Sequence, residues 1–335
     1  MRDGLRVGVV GATGLLGQEV IAYLDEEQCP VGELQVFAGE DSLGQDVEFR
    51  GESLPVQPPV ESLRGLDALV LCTPAVAALD WVRIALRSEV ACIDCSGALV
   101  GSVDVPMAMT ALGAYEELAS VPLISSPPGA GLAWGPVLAA VQREAGLQRV
   151  LGTVLHSASA AGRHGIETLS EETLALLNQR SEEGEPVREV NAPRAFECHA
   201  HGVDSGKGPE AILEGTLVDV LRRVLGPDVT VAATSIQVPT FAGQGSTLAL
   251  QTEKPLRAEE ASALFEKTPG VEVVEEARGL GTRESVGGET IQISRIRADP
   301  TTEAGRGILL WLTADPLRLA ARNAIRLIEA RFPQR

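Results

Sequence analysis

The sequence predicts an α/β protein in two parts, a parallel-sheet domain followed by a domain with a mixed sheet. First, a short apolar run at Leu5–Val10 leads through closely spaced glycines into a helical pattern. Second, β-rich apolar runs alternate with helical stretches as far as residue 128, which is typical of a parallel sheet. Third, strand-like runs with alternating faces and fewer helices follow, and these indicate an α+β domain.

The glycine-rich turn after the first strand predicts a Rossmann-type dinucleotide-binding domain. In such a turn, the first glycines let the backbone approach a pyrophosphate, and the last lets the helix pack on the strand. The N–H groups at the start of the helix bind the anion. A tight turn without any ligand is the alternative. The candidate cofactor-binding residues here are Gly11, Thr13, Gly14, Leu15, Leu16 and Gly17.

The remaining elements of the first part follow from short apolar runs and helical periodicity. Strands are expected at Leu34–Ala38, Asp67–Thr73, Val90–Cys95 and Val121–Ser126, and helices at Ala75–Leu86 and Leu132–Ala145. Asp41 lies just after the second strand. An acid at that place typically binds the ribose hydroxyls of NAD and repels the extra phosphate of NADP, so Asp41 favours NAD. An ordinary acidic loop is the alternative.

The second part reads as strands with alternating faces, a few helices and one loop-rich stretch, Ser181–Gly208. Pro316 suits the first turn of a final amphipathic helix, Pro316–Phe332. The other predicted helices are Gly165–Asn178 and Ala211–Leu225. The predicted strands are Gln148–Ala158, Val229–Val238, Ser246–Glu253, Val271–Glu276, Glu289–Arg297 and Gly307–Ala314.

Composition narrows the class of partner. The 335 residues carry a formal net charge of -18, which disfavours nucleic acid and anionic membrane surfaces. No apolar run approaches the roughly 20 residues that span a bilayer, and the first strand begins without a leader, so we expect a cytoplasmic protein. The five cysteines fit a reducing compartment. Cys92 and Cys95 lie within a strand-like run without clustered histidines, so no metal site is predicted.

Several segments together resemble the aspartate-semialdehyde dehydrogenase family over nearly the full length. They are Gly8–Glu19, Ala91–Ser96 with Asp104–Pro106, Ser159–Gly162 with Gly165–Glu167, Val238–Gly243, Arg295–Asp299 and Trp311–Arg318. The resemblance implies an NAD(P)-binding-like domain over residues 1–128, a substrate and dimerisation domain over 129–314, and a C-terminal helix over 315–335 that returns to the first domain. It also implies a homodimer formed through the central domain, and reductive dephosphorylation of an acyl phosphate by NADPH through an enzyme thioester.

That reaction needs a thiolate nucleophile, a histidine that transfers a proton, and cations that hold the carboxylate and the phosphate. The family's Asn-Pro-Asn-Cys segment corresponds to Ser126–Gly129, which places Gly129 in the nucleophile position. The Gly-His-Ser segment corresponds to Gly243–Gly245, which places Gln244 in the base position. The arginine seven residues earlier is Gln237.

Further family positions are also changed. The phosphate-binding arginine is Val100, and the Arg-Ser pair that reads the NADP phosphate is Asp41–Ser42. The Tyr-Gln-x-x-Ser-Gly segment corresponds to Leu155–Ala160. It contains His156, in a segment that faces the substrate in the family, and Ser159, a candidate cofactor-binding residue.

Loss of so many reacting groups predicts a protein that resembles the Usg-type relatives, which share the family fold and lack its catalytic residues. It would bind NAD or NADP, with NAD favoured, or a metabolite or a protein. One alternative is an active oxidoreductase on an aldehyde or acyl phosphate in amino-acid biosynthesis, with Cys95, Cys92 or Cys198 as the thiol. A purely structural partner of another enzyme is the other alternative.

Overall fold

The structure is a computed structural model that describes residues 4–27, 29–113, 118, 120–178, 192–201, 212–303 and 305–333. The chain forms two compact units. The first unit comprises residues 1–132 and 317–335, and the second comprises residues 133–316. Within the described residues, each helix is too short or too polar to cross a membrane.

The helices and strands follow one another along the chain with few long interruptions among the described residues. The strands are β1 (Leu5–Val10), β2 (Val31–Phe37), β3 (Asp46–Phe49), β4 (Glu52–Pro55), β5 (Ala68–Leu71), β6 (Ala91–Asp94), β7 (Leu123–Ser125), β8 (Leu147–His156), β9 (His199–Ala200), β10 (Thr230–Gln237), β11 (Gln244–Thr252), β12 (Val271–Val273), β13 (Ile291–Ala298) and β14 (Gly307–Ala314). The helices are α1 (Leu15–Glu26), α2 (Ala75–Arg87), α3 (Gly129–Ala145), α4 (Gly162–Leu177), α5 (Ile212–Leu225), α6 (Ala258–Glu266) and α7 (Pro316–Arg331).

The first unit is built on a five-stranded parallel sheet in the order β2-β1-β5-β6-β7. Both faces of the sheet are buried. Ala68 and Val70 of β5 point into a core that also contains residues of α1 and α7, whereas Leu69 and Leu71 point into a core with residues of α2. Helices on both faces of a parallel sheet confirm the predicted α/β class.

Helix α7 is attached to the rest of the first unit by buried polar contacts. The guanidinium of Arg318 is ion-paired with Glu19 and Glu26 and lies 4.6 Å from the ring centroid of Tyr23. The Asn323 amide, which is 3% exposed, hydrogen-bonds to the backbone of the segment between β6 and β7. A buried polar group needs such partners, so these contacts fix the position of the helix within the unit.

The second unit contains a seven-stranded mixed sheet in the order β12-β13-β14-β11-β8-β10-β9. The β8–β10 and β12–β13 pairs are parallel and the others are antiparallel, which confirms the predicted mixed sheet. The indole Nε1 of Trp134 donates to Ser246 Oγ at 2.9 Å, and a Cβ on Gly152 would lie 2.2 Å from the Trp134 ring. Gly152 therefore makes room for the tryptophan that anchors α3 on the sheet.

Several elements differ from the sequence prediction. Helix α3 begins at Gly129 instead of Leu132, so the segment that resembles the family's nucleophile segment ends inside the helix. The hairpin of β3 and β4 was not predicted, nor was α6, where few side chains face the core. Of the predicted loop-rich stretch 181–208, residues 181–191 and 202–208 lie outside the described residues, and the described part contains the short strand β9.

Candidate functional site

The glycine turn between β1 and α1 has the geometry that a dinucleotide requires. Gly11 has a φ of +77°, and a Cβ there would lie 2.5 Å from the backbone oxygen of Cys72. A Cβ on Gly17 would lie 2.2 Å from the backbone oxygen of Gly11. A side chain at either position would therefore force the turn and the helix apart.

The start of α1 is suited to an anion. Gly14 occupies the N-cap position, with no side-chain cap and no acidic residue in the first turn of the helix. The backbone N–H groups of Leu15, Leu16 and Gly17 therefore lie at an uncompensated positive helix end. These residues fit the diphosphate of a nicotinamide dinucleotide, which would supply hydride-transfer chemistry when bound.

The acidic turn after β2 is joined to the glycine turn. Glu40–Ser42 form a short 3₁₀ turn, and the hydroxyl oxygens of Ser42 and Thr13 lie 2.9 Å apart. Asp41, between these residues in the turn, is exposed. The structure therefore brings Thr13 and Asp41 to the same end of β1 and β2.

The segment that leads into α3 is held firmly at its start. Ser126 is fully buried, and its N–H donates to the backbone oxygen of Asp94 at 2.8 Å. The Asn323 amide donates to Ser126 Oγ at 2.8 Å. Gly129 is the first residue of α3 and offers no side chain to a ligand.

The cysteines near this segment are poorly suited to act as nucleophiles. Burial and the Asp94 carboxylate raise the pKa of Cys95 to about 12, although a hydrogen bond from Ser126 opposes that shift. Burial raises the pKa of Cys72 and of Cys92 well above the usual value for a thiol. Since the thiolate is the reactive form, these thiols are inert near neutral pH. No cluster of three or more potential metal-ligating side chains occurs in the part of the chain that the structure describes.

Three of the predicted site residues meet at the ends of strands in the second unit. His156 is the last residue of β8. In the sheet it lies opposite Gln237 of β10 on one side and opposite Gln244 of β11 on the other. Paired residues project from the same face of a sheet, and these three side chains are 8%, 1% and 2% exposed, respectively.

The hydrogen bonds of the two glutamines differ. The Gln237 amide donates to the backbone oxygens of His156 and Val238, at 3.0 and 3.3 Å. The amide nitrogen of Gln244 is buried and has no hydrogen-bond partner within the part of the chain that the structure describes. Gln237 is therefore fixed by its surroundings, whereas Gln244 has an unused buried donor.

Two further residues join this group, which we call the strand-end cluster: His156, Ser235, Gln237, Gln244 and His201. The Nε2 atom of His156 lies 3.4 Å from Ser235 Oγ, and the His156 and His201 rings are edge-on with centroids 5.3 Å apart. Burial, and secondarily His201, lowers the pKa of His156 to about 4. Both effects disfavour the charged imidazolium, so His156 is neutral at pH 7.

Sequence reasoning missed Ser235, Glu214 and Asn323. The Ser235 N–H donates to a carboxylate oxygen of Glu214 at 2.7 Å, which brings an acid from the first turn of α5 to the cluster. An acidic residue near the start of a predicted helix was the one sequence signal that could have pointed to Glu214.

The candidate residues are divided between the two units. The glycine turn, Asp41, Val100 and Gly129 belong to the first unit, and the strand-end cluster belongs to the second. Ser159 also belongs to the second unit, where its Oγ lies 3.0 Å from Ser157 Oγ. Its role towards a cofactor remains a prediction.

A parallel sheet with a glycine turn, together with a separate mixed-sheet unit, defines a two-domain protein of the nicotinamide-dinucleotide-binding class. Residues 6–120 match the family described as semialdehyde dehydrogenase, NAD binding domain. Residues 138–319 match the family described as semialdehyde dehydrogenase, dimerisation domain. The chain belongs to the semialdehyde dehydrogenase family.

Similar proteins extend over nearly the whole chain. The aspartate-semialdehyde dehydrogenase of Aquifex aeolicus is 26% identical over 338 residues, covering 97% of both chains. A probable aspartate-semialdehyde dehydrogenase from Pseudomonas aeruginosa has a similar structure, with a TM-score of 0.88 and 29% identity over 97% of this chain and 98% of that one. Aspartate semialdehyde dehydrogenase II from Vibrio cholerae also gives a TM-score of 0.88, with 25% identity over 99% of both chains.

Proposed function

We propose that this chain is a catalytically silent member of the aspartate-semialdehyde dehydrogenase family that acts by binding. The observation that carries the proposal is Gly129, which occupies the position of the nucleophile in the resembling motif and is the first residue of α3. A thioester cannot form without a thiol. Gln244, in the position of the base, cannot accept a proton near neutral pH. The replacement of both the nucleophile and the base supports a Usg-type relative, which shares the family fold and lacks its catalytic residues.

The proposed ligand of the first unit is a nicotinamide dinucleotide, with NAD preferred over NADP. The glycine turn and the uncapped start of α1 support binding of the diphosphate. Asp41 supports the preference, because its carboxylate would accept hydrogen bonds from ribose hydroxyls and repel a phosphate.

The proposed assembly is a homodimer formed through one face of the sheet in the second unit. Leu151, Leu309 and Trp311 are only partly buried there, and they line a groove of about 590 Å³ on that face. Apolar side chains on an open sheet face are stabilised when another surface buries them. The match to a dimerisation domain supports a second copy of this chain as that surface.

A second candidate function is an active oxidoreductase with replaced residues, and the extent of similarity to aspartate-semialdehyde dehydrogenases favours it. This alternative needs another thiol. Cys95 has the wrong pKa for a nucleophile, and Cys198 is exposed in the second unit. Neither occupies the nucleophile position of the motif.

Measurements of turnover and of covalent adducts distinguish a catalytically silent protein from an active oxidoreductase. The purified chain is incubated with aspartate semialdehyde, phosphate and either NAD or NADP, and absorbance of the reduced cofactor is followed beside an active relative. We expect no turnover above a blank without enzyme, since loss of a nucleophile removes several orders of magnitude of rate. Turnover that disappears in Cys95→Ala, or an acyl adduct detected on any side chain by mass spectrometry, would contradict catalytic silence.

A further inference from the structure

We propose that the strand-end cluster binds an uncharged ligand that carries a carboxamide group. The inference rests on the proposed function, because a protein without the covalent step would act through what it binds. It concerns the second unit only, and nucleotide binding by the first unit is independent of it.

The unused amide of Gln244 is the first reason. The side chain is 2% exposed, and among the described residues its nitrogen has no hydrogen-bond partner; Nδ1 of His201, in the same cluster, is also buried without one. A ligand carbonyl would accept from this nitrogen. If the amide were turned, its oxygen would need a donor instead, and a carboxamide supplies both groups.

The fixed amide of Gln237 is the second reason. Its two hydrogen bonds to backbone oxygens hold it in one orientation beside His156. An ionised carboxylate that enters a buried site loses its hydration, and that loss is offset only by a cation or several donors. Gln237 provides no charge, whereas a neutral amide enters at a much lower desolvation cost.

The histidine pair is the third reason. Ser235 Oγ lies within 3.4 Å of His156 Nε2, and His201 packs edge-on against the same ring. This enclosed position keeps the imidazole neutral at pH 7, with a donor on one nitrogen and an acceptor on the other. A neutral polar ligand would use the ring nitrogen that does not face Ser235.

The charges around the cluster are the fourth reason. Glu214 accepts a hydrogen bond from the Ser235 N–H, and its carboxylate also acts on His201. On the segment that carries His201, Arg194 is ion-paired with Glu197 at 2.6 Å, so its charge is offset locally. The charged side chain that the described residues bring to the cluster is therefore an acid, which offers no cation to an anionic ligand.

The test compares two probes of the same shape, propionamide and propionate, by ligand-observed NMR titration of the full chain at pH 7.5. At this pH propionate is ionised and propionamide is neutral. We expect propionamide to bind about tenfold more tightly, because one uncompensated charge is excluded from the site. Equal affinities, tighter propionate, or binding of neither probe would overturn the inference.

Substitutions test whether propionamide binds at the strand-end cluster. Gln244→Met keeps the side-chain length but removes the amide, and it should weaken propionamide about tenfold. Gln251→Met is the matched control, because Gln251 lies on the same strand but is partly exposed, and its amide donates to the side-chain oxygen of the exposed Gln148. Gln237→Arg should shift the preference towards propionate. If Gln244→Met leaves propionamide binding unchanged while its thermal midpoint shows a folded chain, the cluster is not the site.

Failure of this inference is distinguishable from failure of the proposed function. The same preparations are titrated with NAD and assayed for turnover. Nucleotide binding without propionamide binding would refute only the strand-end ligand. Propionamide binding that depends on Gln244 would support it whether or not the chain turns over aspartate semialdehyde.

Discussion

Gln244 lies directly opposite His156 in the antiparallel pair of β11 and β8, and both side chains are almost fully buried. In the resembling motifs one of these positions is the proton-transferring base, yet here neither side chain carries a charge at neutral pH. The sheet thus places the side chains of His156, Gln237 and Gln244 together. These uncharged groups are suited to hydrogen bonding rather than to proton transfer.

The first prediction concerns the packing of the glycine turn. Gly17→Ala should destabilise the chain by about 1–3 kcal/mol, because its Cβ would lie 2.2 Å from the backbone oxygen of Gly11. Gly39→Ala is the control, since Gly39 has an extended backbone and no atom within 4 Å of a built Cβ. Urea unfolding measures both free energies. Equal stability of the two variants would contradict the close packing of α1 on the turn.

The second prediction concerns acid. The pKa of His156 is about 4 in the fold, below the ordinary value of 6.5. As the pH falls below 6.5, the unfolded chain gains a proton at this residue and the folded chain does not. The free energy of unfolding should therefore fall by about 2 kcal/mol between pH 7.5 and 5 on this account. Well above pH 6.5, where neither the folded nor the unfolded chain binds this proton, the contribution of His156 is constant.

Comparison of variants isolates this effect from other acid-sensitive groups. His156→Gln should lose about 2 kcal/mol less stability than the wild type over the same pH range, as measured by urea unfolding. Parallel curves for wild type and His156→Gln would show that His156 is not held neutral.

Much of the fold could be predicted from the sequence, because period and glycine spacing are local signals. The limits of β1 match the prediction, and α1 follows the glycine turn as expected. The hairpin of β3 and β4 was harder to predict, since four-residue strands give little periodicity and their turn depends on positive φ at Arg50 and Gly51.

The strand-end cluster could be predicted only in part. His156, Gln237 and Gln244 came from motif positions, whereas Ser235 had no local signal. It meets His156 only because of the register of β10 with β8, across 79 residues of chain. The lack of a hydrogen-bond partner for the Gln244 amide nitrogen among the described residues likewise results from packing in the folded chain, which sequence patterns do not reveal.

The third prediction tests the proposed homodimer. Ala249 lies between Leu151 and Leu309 in the sheet, on the open face of the second unit. Ala249→Arg should convert the dimer into monomer, because a long charged side chain would be buried without a partner. Ala263→Arg, at an exposed position on α6, should leave the dimer intact. Sedimentation velocity measures both. A wild-type monomer, or a dimer that survives Ala249→Arg, would exclude this face.

The fourth prediction tests nucleotide choice. Asp41 is exposed in the turn that Ser42 joins to Thr13, so its carboxylate lies at the end of the glycine turn. Calorimetric titration should give tighter binding of NAD than of NADP. Asp41→Arg should reverse the order, because the guanidinium would pair with the extra phosphate that the carboxylate repels. Asp104→Arg, which adds the same charge elsewhere in the first unit, should keep the wild-type order and control for net charge. Tighter NADP binding by the wild type would contradict the role of Asp41, and absence of binding by either nucleotide would show that the intact glycine turn no longer holds a diphosphate.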